Sequence, residues 1–246
     1  MLVVYDMHCH THEFSDNELE DILEKLGSAR IVSVSEDLES FYRTLELAER
    51  FPDSIIPCAG FHPWSIKERS LGEAEELARL AVKYGIPCIG EVGLDKKFLP
   101  EWTWDAQVKV FGMFLEAARE IDAYVTVHSP NAWREAVEML VDAGIERAML
   151  HWYTGPLNLI PEIVGAGYYI SINPAIRIQE KHKRVAKASP LDHMVFESDG
   201  PYNYRGLRLT PLMIPDAVRE VAALKGIDEE TVWEWATRNG ARLLRA

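Results

Sequence analysis

The chain of 246 residues is 48% hydrophobic and 26% charged, which describes a globular protein with a sizeable core and excludes a disordered or low-complexity one. Its formal net charge is -13, from 26 Lys and Arg against 39 Asp and Glu. That balance argues against broad non-specific binding to a polyanion, because counterion release needs clustered cations.

No apolar run approaches the length of a transmembrane helix, and no basic n-region precedes the short apolar start, so a cytoplasmic protein without a membrane partner is expected. Cys9, Cys58 and Cys88 are an odd count without Cys-x-x-Cys spacing. Neither a disulfide framework nor a cysteine zinc site is expected, and Cys58 and Cys88 read as buried small hydrophobes.

Leu2-Val3-Val4 has the length of a buried strand and runs into Tyr5-Asp6-Met7-His8-Cys9-His10. Strand alternation puts His8 and His10 on one face, Asp6 with them, and Met7 and Cys9 on the other. Ser15-Asp16-Asn17 offers caps for a helix carrying Leu19, Ile22, Leu23 and Leu26 up to Gly27. His12 and Glu13, just ahead of it, suit either a capping loop or the site.

The alternation then continues. Ala29 to Val34 reads as a strand, Leu38 to Phe51 as a helix, and Ile55 to Gly60 as a strand running into Phe61-His62-Pro63-Trp64. Glu73 to Tyr84 is helical. A fourth strand opens at Pro87 to Ile89 and ends Gly90-Glu91-Val92-Gly93-Leu94-Asp95. Thr103 to Ile121 is a long helix, and Tyr124 to Val127 a strand ending at His128. Ala132 to Ala143 is helical, and Ala148 to Leu150 a strand ending at His151. A short helix near Leu159 to Val164 precedes a strand at Tyr168 to Ile172. Lys181-His182-Lys183-Arg184 reads as the wet face of the next helix, and His182 and His193 as surface histidines. The eighth strand, Met194 to Phe196, ends Glu197-Ser198-Asp199-Gly200, and two helices close the chain at Ile214 to Leu224 and Glu229 to Leu244.

Eight strands alternating with helices argue for an α/β fold with a parallel sheet, and at this length for one (β/α)8 TIM-like barrel domain over residues 1–246; an open doubly wound sheet is the alternative. His8, His10, His62, Glu91, His128, His151 and Asp199 all fall at or just beyond C-terminal strand ends, which a barrel gathers into one rim. Several His with two carboxylates suit Zn, Mn, Co or Fe better than Mg alone. The donors outnumber one tetrahedral ion, so two divalent ions roughly 3.5–4 Å apart, bridged by a carboxylate, are expected.

These residues carry a resemblance. Asp6-Met7-His8-Cys9-His10, Gly60-Phe61-His62-Pro63, Gly90-Glu91-Val92-Gly93-Leu94-Asp95, Val127-His128-Ser129, the strand end at His151, Glu197-Ser198-Asp199-Gly200-Pro201-Tyr202 and Asn239-x-x-Arg242-Leu243 resemble, in order, the TatD family of metal-dependent hydrolases among the amidohydrolase-like barrels. The resemblance implies that His8 and His10 bind one metal, that His128 and His151 bind the second, and that Glu91 bridges them. It further implies that Asp199 ligates the first metal and acts as acid/base on the attacking water, and that His62 touches the substrate phosphate. Family members are described as deoxyribonucleases, and some similar proteins as deacylases. The chain departs from the family pattern at Pro130, at Leu209-Thr210-Pro211 and at Lys96-Lys97-Phe98-Leu99, all in substrate-facing loops.

The expected enzyme is a divalent-metal-dependent hydrolase, a phosphodiesterase or deoxyribonuclease acting on small phosphodiesters or single-stranded nucleic acid ends, with no stable protein partner. An amide or ester hydrolase of the same superfamily and a phosphomonoesterase are the alternatives. The polymerase-and-histidinol-phosphatase barrels share the opening motif but end in Asp-x-His, where Asp199 is followed by Gly200-Pro201. Superfamily members bridged by a carbamylated Lys are disfavoured because the fourth strand ends in Glu91. A non-catalytic metal-binding barrel would have no use for Asp199, since a structural site is closed. Trp64, Trp152, Tyr153, Tyr202 and Tyr204 are candidates for stacking at the mouth, and Arg205, Arg208, Lys96 and Lys97 for a second phosphate contact.

Overall fold

Strands apolar on both faces have to be covered on both, and parallel strands need crossover helices to do it. In the computed structural model, which describes residues 3–66 and 70–245, eight strands form one parallel sheet in chain order. They are β1 (Val4–Cys9), β2 (Ala29–Ser33), β3 (Ile55–Ala59), β4 (Cys88–Gly93), β5 (Tyr124–His128), β6 (Ala148–Leu150), β7 (Tyr169–Ile172) and β8 (Met194–Phe196). Between them lie α1 (Asp16–Leu26), α2 (Leu38–Arg50), α3 (Leu71–Tyr84), α4 (Trp104–Ile121), α5 (Trp133–Asp142), α6 (Ile160–Gly165) and α7 (Glu180–Ala188); α8 (Ile214–Lys225) and α9 (Glu229–Leu244) end the chain. This is the expected (β/α)8 barrel. Leu2 of the opening apolar run lies outside the described residues.

The local signals hold where the chemistry is local. Ser15 accepts the amide of Glu18 at the start of α1, and Asp37 with Ser40 forms a capping box on α2. The sheet is nearly closed. Among the described residues β1 and β8 share no ladder, and the seam is joined beyond β8, where Asp199 N donates to His8 O (3.0 Å) and His10 N donates to Gly200 O (2.8 Å). Asp6 strengthens the seam by accepting from Ser198 N (2.8 Å). No described helix is long and apolar enough to cross a membrane.

The floor of the lumen takes one residue from every strand: Met7, Val32, Cys58, Cys88, Tyr124, Met149, Tyr169 and Val195, with Leu243 of α9 beneath them. Such a layer fills the barrel and leaves only the upper rim open. Met7 belongs to it, whereas Cys9 packs in the outer cluster between strands and helices. Strict alternation placed these two together; the β1–β2 ladder slips between Asp6 and Cys9, and the slip separates them.

Two other expectations are corrected, and one element was not anticipated. Cys58 and Cys88 are buried as expected, but they are disulfide-bonded. The β3–β4 register makes them direct partners at a Cα separation of 4.5 Å, within the range a disulfide spans, and a spacing of 30 residues does not reveal register. His182 is buried rather than wet: Asn173 N donates to its Nε2 (3.1 Å) and its Nδ1 meets Tyr153 O (3.2 Å). The unanticipated element is a hairpin between β8 and α8, β9 (Asn203–Tyr204) with β10 (Leu207–Arg208), whose Tyr204 ring packs against Trp152. Its turn residues Arg205 and Gly206 both have positive φ, and Arg-Gly lacks the usual Asn-Gly signal.

Candidate metal centre

The rim of the barrel brings His8, His10, His62, Glu91, His128, His151 and Asp199 together. Glu91 lies at the centre, buried, with its two carboxylate oxygens turned to different imidazoles. Oε2 faces His8 Nε2 (3.3 Å) and His10 Nε2 (3.4 Å). Oε1 faces His128 Nδ1 (2.9 Å), His62 Nε2 (3.4 Å) and His151 Nε2 (3.9 Å). Asp199 Oδ1 completes the first set, 3.7 Å from His8 Nε2 and 3.4 Å from His10 Nε2, with His151 Nε2 also at 3.7 Å.

Backbone geometry makes this convergence possible. A Cβ on Gly60 would stand 2.2 Å from Gly90 C and 2.3 Å from Glu91 N, so only glycine lets the end of β3 approach the residue that presents the carboxylate. Asp199 and Trp152 both hold left-handed φ (55° and 38°), uncommon for side-chain-bearing residues and concentrated at functional sites.

The donor set fits divalent metal. Ligand atoms about 2.1 Å from a tetrahedral ion are about 3.4 Å apart. Measured separations within His8, His10, Glu91 Oε2 and Asp199 run from 3.3 to 3.7 Å, including 3.4 Å between the Nε2 atoms of His8 and His10. His62, Glu91 and His128 form a second group of the same kind. Without charge compensation such a cluster of nitrogens and carboxylates would be strained by its own desolvation.

The ring nitrogens facing away from the centre show how the imidazoles are held. His8 Nδ1 pairs with Thr126 Oγ1 (2.8 Å), His151 Nδ1 with Glu197 Oε2 (2.9 Å), and His128 Nε2 with Asp95 Oδ2 (2.9 Å). Outer partners of this type fix tautomer and orientation in metal sites. Asp95 also accepts from Trp64 Nε1 (2.7 Å) and from the amides of Lys97 (2.7 Å) and Phe98 (2.8 Å). Burial resists its ionisation, yet the bonds from His128 and Trp64 prevail and hold its carboxyl down at about 2.

The same contest sets the other charges. Burial opposes the Glu91 anion, but His62, His8 and His151 around it hold its carboxyl well below the usual carboxylate range. Burial, reinforced by His151, pushes His8 down to about 4, so it stays neutral with its lone pair available. His151 is buried too, yet Glu197, Asp199 and Glu91 raise it to about 9.

Every residue of this cluster was singled out in the sequence; the structure adds where each stands relative to the others. His62, expected at the substrate phosphate, has its Nε2 3.3 Å from His128 Nδ1 and 3.4 Å from Glu91 Oε1. His151 stands nearly equidistant from Glu91 and Asp199, between the two sets. Asp95 and Glu197 were visible only as motif members; the signal for their roles was their place at the same strand ends.

Around the mouth, Trp64 is half-exposed over His62 and His128. Trp152 meets Tyr202 and Tyr204 edge-on, and Gln179 bridges Trp152 Nε1 and the Tyr204 hydroxyl. Tyr153 is not at the mouth: it is buried, donating to Pro156 O (2.7 Å). Arg208 is ion-paired with Glu18 and Lys96 with Glu135, Lys97 lies over the Phe98 ring, and Arg205 lies over the Tyr204 ring.

A parallel eight-stranded barrel with imidazoles and carboxylates converging on its C-terminal rim defines the class of metal-dependent barrel hydrolases. Within that class the chain belongs to the family described as TatD related DNase, whose profile matches residues 5–245. The mouse putative deoxyribonuclease TATDN3 is 32% identical over 98% of this chain and 88% of its own length. The Escherichia coli K12 uncharacterized metal-dependent hydrolase YcfH is 28% identical over 98% and 96%. The crystal structure of the Escherichia coli TatD homologue YjjV superposes with a TM-score of 0.87 at 22% identity, covering 98% of both chains.

Proposed function

We propose that this TatD-family hydrolase is a phosphodiesterase with deoxyribonuclease character, acting on small phosphodiesters and on single-stranded ends at a dinuclear metal centre. The observation that carries the reading is the division of Glu91, one oxygen toward His8 and His10 and the other toward His128 and His62. In this reading His8, His10 and Asp199 would hold one ion, His128 with His62 or His151 the other, and Glu91 both. Bound divalent metal supplies a lowered pKa for the attacking water and charge to offset the phosphate.

The chain's own groups do the rest. Asp199, beside His8 and His10, accepts the proton of the attacking water and orients it. Glu197 holds His151 Nδ1 (2.9 Å), which leaves its Nε2 between Glu91 and Asp199, placed to serve the second ion. Trp64, Trp152 and Tyr204 surround the entrance with faces and edges on which an unpaired base can stack. The relatives named as deoxyribonucleases support the substrate class.

The test compares, with added Mn, Zn or Mg, a small chromogenic phosphodiester, an end-labelled single strand, a closed circular duplex, a phosphomonoester and an amide. Turnover of the first two with little nicking of the circle is expected. Preference for the monoester or the amide would overturn the reading in favour of the corresponding alternative.

A further inference from the structure

Beside the centre lies a second group of donors that the proposed chemistry leaves unused: His12 and Glu13 in the short turn Thr11–Glu13 after β1, and Glu36 in the loop after β2. Together with a ring nitrogen of His10, these residues place one donor atom each within 4.8 Å of one another.

The arrangement at His12 is specific. Its Nδ1 lies 3.1 Å from the carbonyl of Val34, which only an N–H can satisfy, so in the neutral ring the lone pair sits on Nε2. Nε2 faces Glu36 Oε2 at 3.7 Å, beyond hydrogen-bond reach but close to the spacing of two ligands on one ion. Glu36 is itself held in place: its amide meets Ser40 Oγ (2.8 Å), and its carbonyl accepts from His62 N (3.0 Å).

A second, independent observation concerns His10. Its Nε2 is turned to Glu91 and Asp199, while its Nδ1 is buried and has no hydrogen-bond partner among the described residues. Each of His8, His128 and His151 has a side-chain partner on the nitrogen that faces away from the centre; His10 does not. A buried polar atom of this kind calls for a ligand or an ordered water. A hydrated cation beside it supplies the water.

We infer that His12, Glu36 and Glu13 form a third divalent-cation site at the barrel mouth, with bound water reaching the buried Nδ1 of His10. One imidazole with two carboxylates and water suits Mn or Zn and excludes a soft-ligand metal. Glu13 is exposed and His12 mostly buried, so the site opens to solvent on one side and binds more weakly than the enclosed set around Glu91.

The experiment is equilibrium dialysis of the metal-stripped full chain against Mn, with bound ion counted by elemental analysis. The wild type is compared with a His12→Gln/Glu36→Gln double variant and with Glu13→Gln, a change at an exposed position that leaves the fold alone. The expected result is a double variant that binds one ion fewer than wild type, and Glu13→Gln binding the last ion several-fold more weakly. Equal stoichiometry in wild type and the double variant, or an unchanged last step in Glu13→Gln, overturns the inference. Because the readout is a difference of one, it is distinct from failure of the dinuclear reading, which would show as a double variant binding fewer than two ions.

Discussion

At Glu91 a single buried carboxylate meets imidazoles on both sides, so its charge matters more than its shape. Glu91→Gln keeps the shape and removes the charge, leaving two neighbouring dications of the proposed centre uncompensated. We expect loss of at least one bound ion and a fall in turnover of about 10²-fold or more, beyond the range seen for outer-sphere changes. Asp199→Asn should keep the fold and at least one ion, with turnover down by about 10²–10⁴-fold, the contribution of a general acid–base group. Elemental analysis with steady-state kinetics separates the two. Full activity of Asp199→Asn across the pH range would remove Asp199 from its role. Away from the centre, burial pushes His182 down to about 4, and Asn173 N donates to its bare Nε2. Its folded value lies below its unfolded one, so the stability it contributes is present above about pH 6.5 and lost as pH falls toward 4. The loss is on the order of 3 kcal/mol. Chemical denaturation of wild type and His182→Gln at pH 7 and pH 4.5 should show the gap between them narrowing on acidification.

Among the elements, the join between β3, β4 and the loop after β2 sets the position of the central carboxylate. Ser35 N donates to Gly90 O (3.1 Å) and Glu91 N donates to Ser35 O (2.9 Å), while Ser35 Oγ donates to Cys58 O (3.1 Å). Gly60 fits into this knot only because it lacks a Cβ. Gly60→Ala must displace backbone rather than a flexible side chain, a cost of about 1–3 kcal/mol, with the melting temperature falling by about 2–4 °C per kcal/mol. The displaced atoms belong to Gly90 and Glu91, so metal affinity should fall along with stability. Calorimetry beside metal titration checks this, and an alanine variant that melts lower but binds metal as well as wild type would show that the knot serves stability alone. The β9–β10 hairpin shows the opposite case, an element whose turn the sequence hid because Arg205 occupies a left-handed position without the usual Asn or Gly.

For the molecule as a whole, charge decides what can approach. The chain carries a formal net charge of -13, and the cations nearest the mouth are largely engaged: Arg208 with Glu18, Lys96 with Glu135. A binder that releases counterions from 6–10 phosphates loses about 10³–10⁵ in affinity between 50 and 200 mM salt. Here the attraction is confined to one point in the barrel mouth, so KM for a single strand should change by less than about tenfold over that range. A steep salt dependence, measured with the end-labelled strand, would reveal a basic path that the charge distribution does not contain.

What the sequence determined by itself was whatever depends on neighbours along the chain. Apolar runs of three to six residues, helical spacing between them and the caps at Ser15-Asp16-Asn17 set the eightfold alternation, and with it the strand ends at which His8, His62, Glu91, His128, His151 and Asp199 stand. The tertiary structure alone decided what depends on register, closure and side-chain direction. The division of the Glu91 oxygens, the approach of His62 to His128, and the partners Thr126, Asp95 and Glu197 are contacts between strands distant in sequence. The Cys58–Cys88 pair needs the β3–β4 register, and the burial of His182 needs the packing of α7 on the loops after β6 and β7. Residue identity and periodicity are local properties and can be read in order; a distance of 3 Å between residues a hundred positions apart exists only once the barrel has closed.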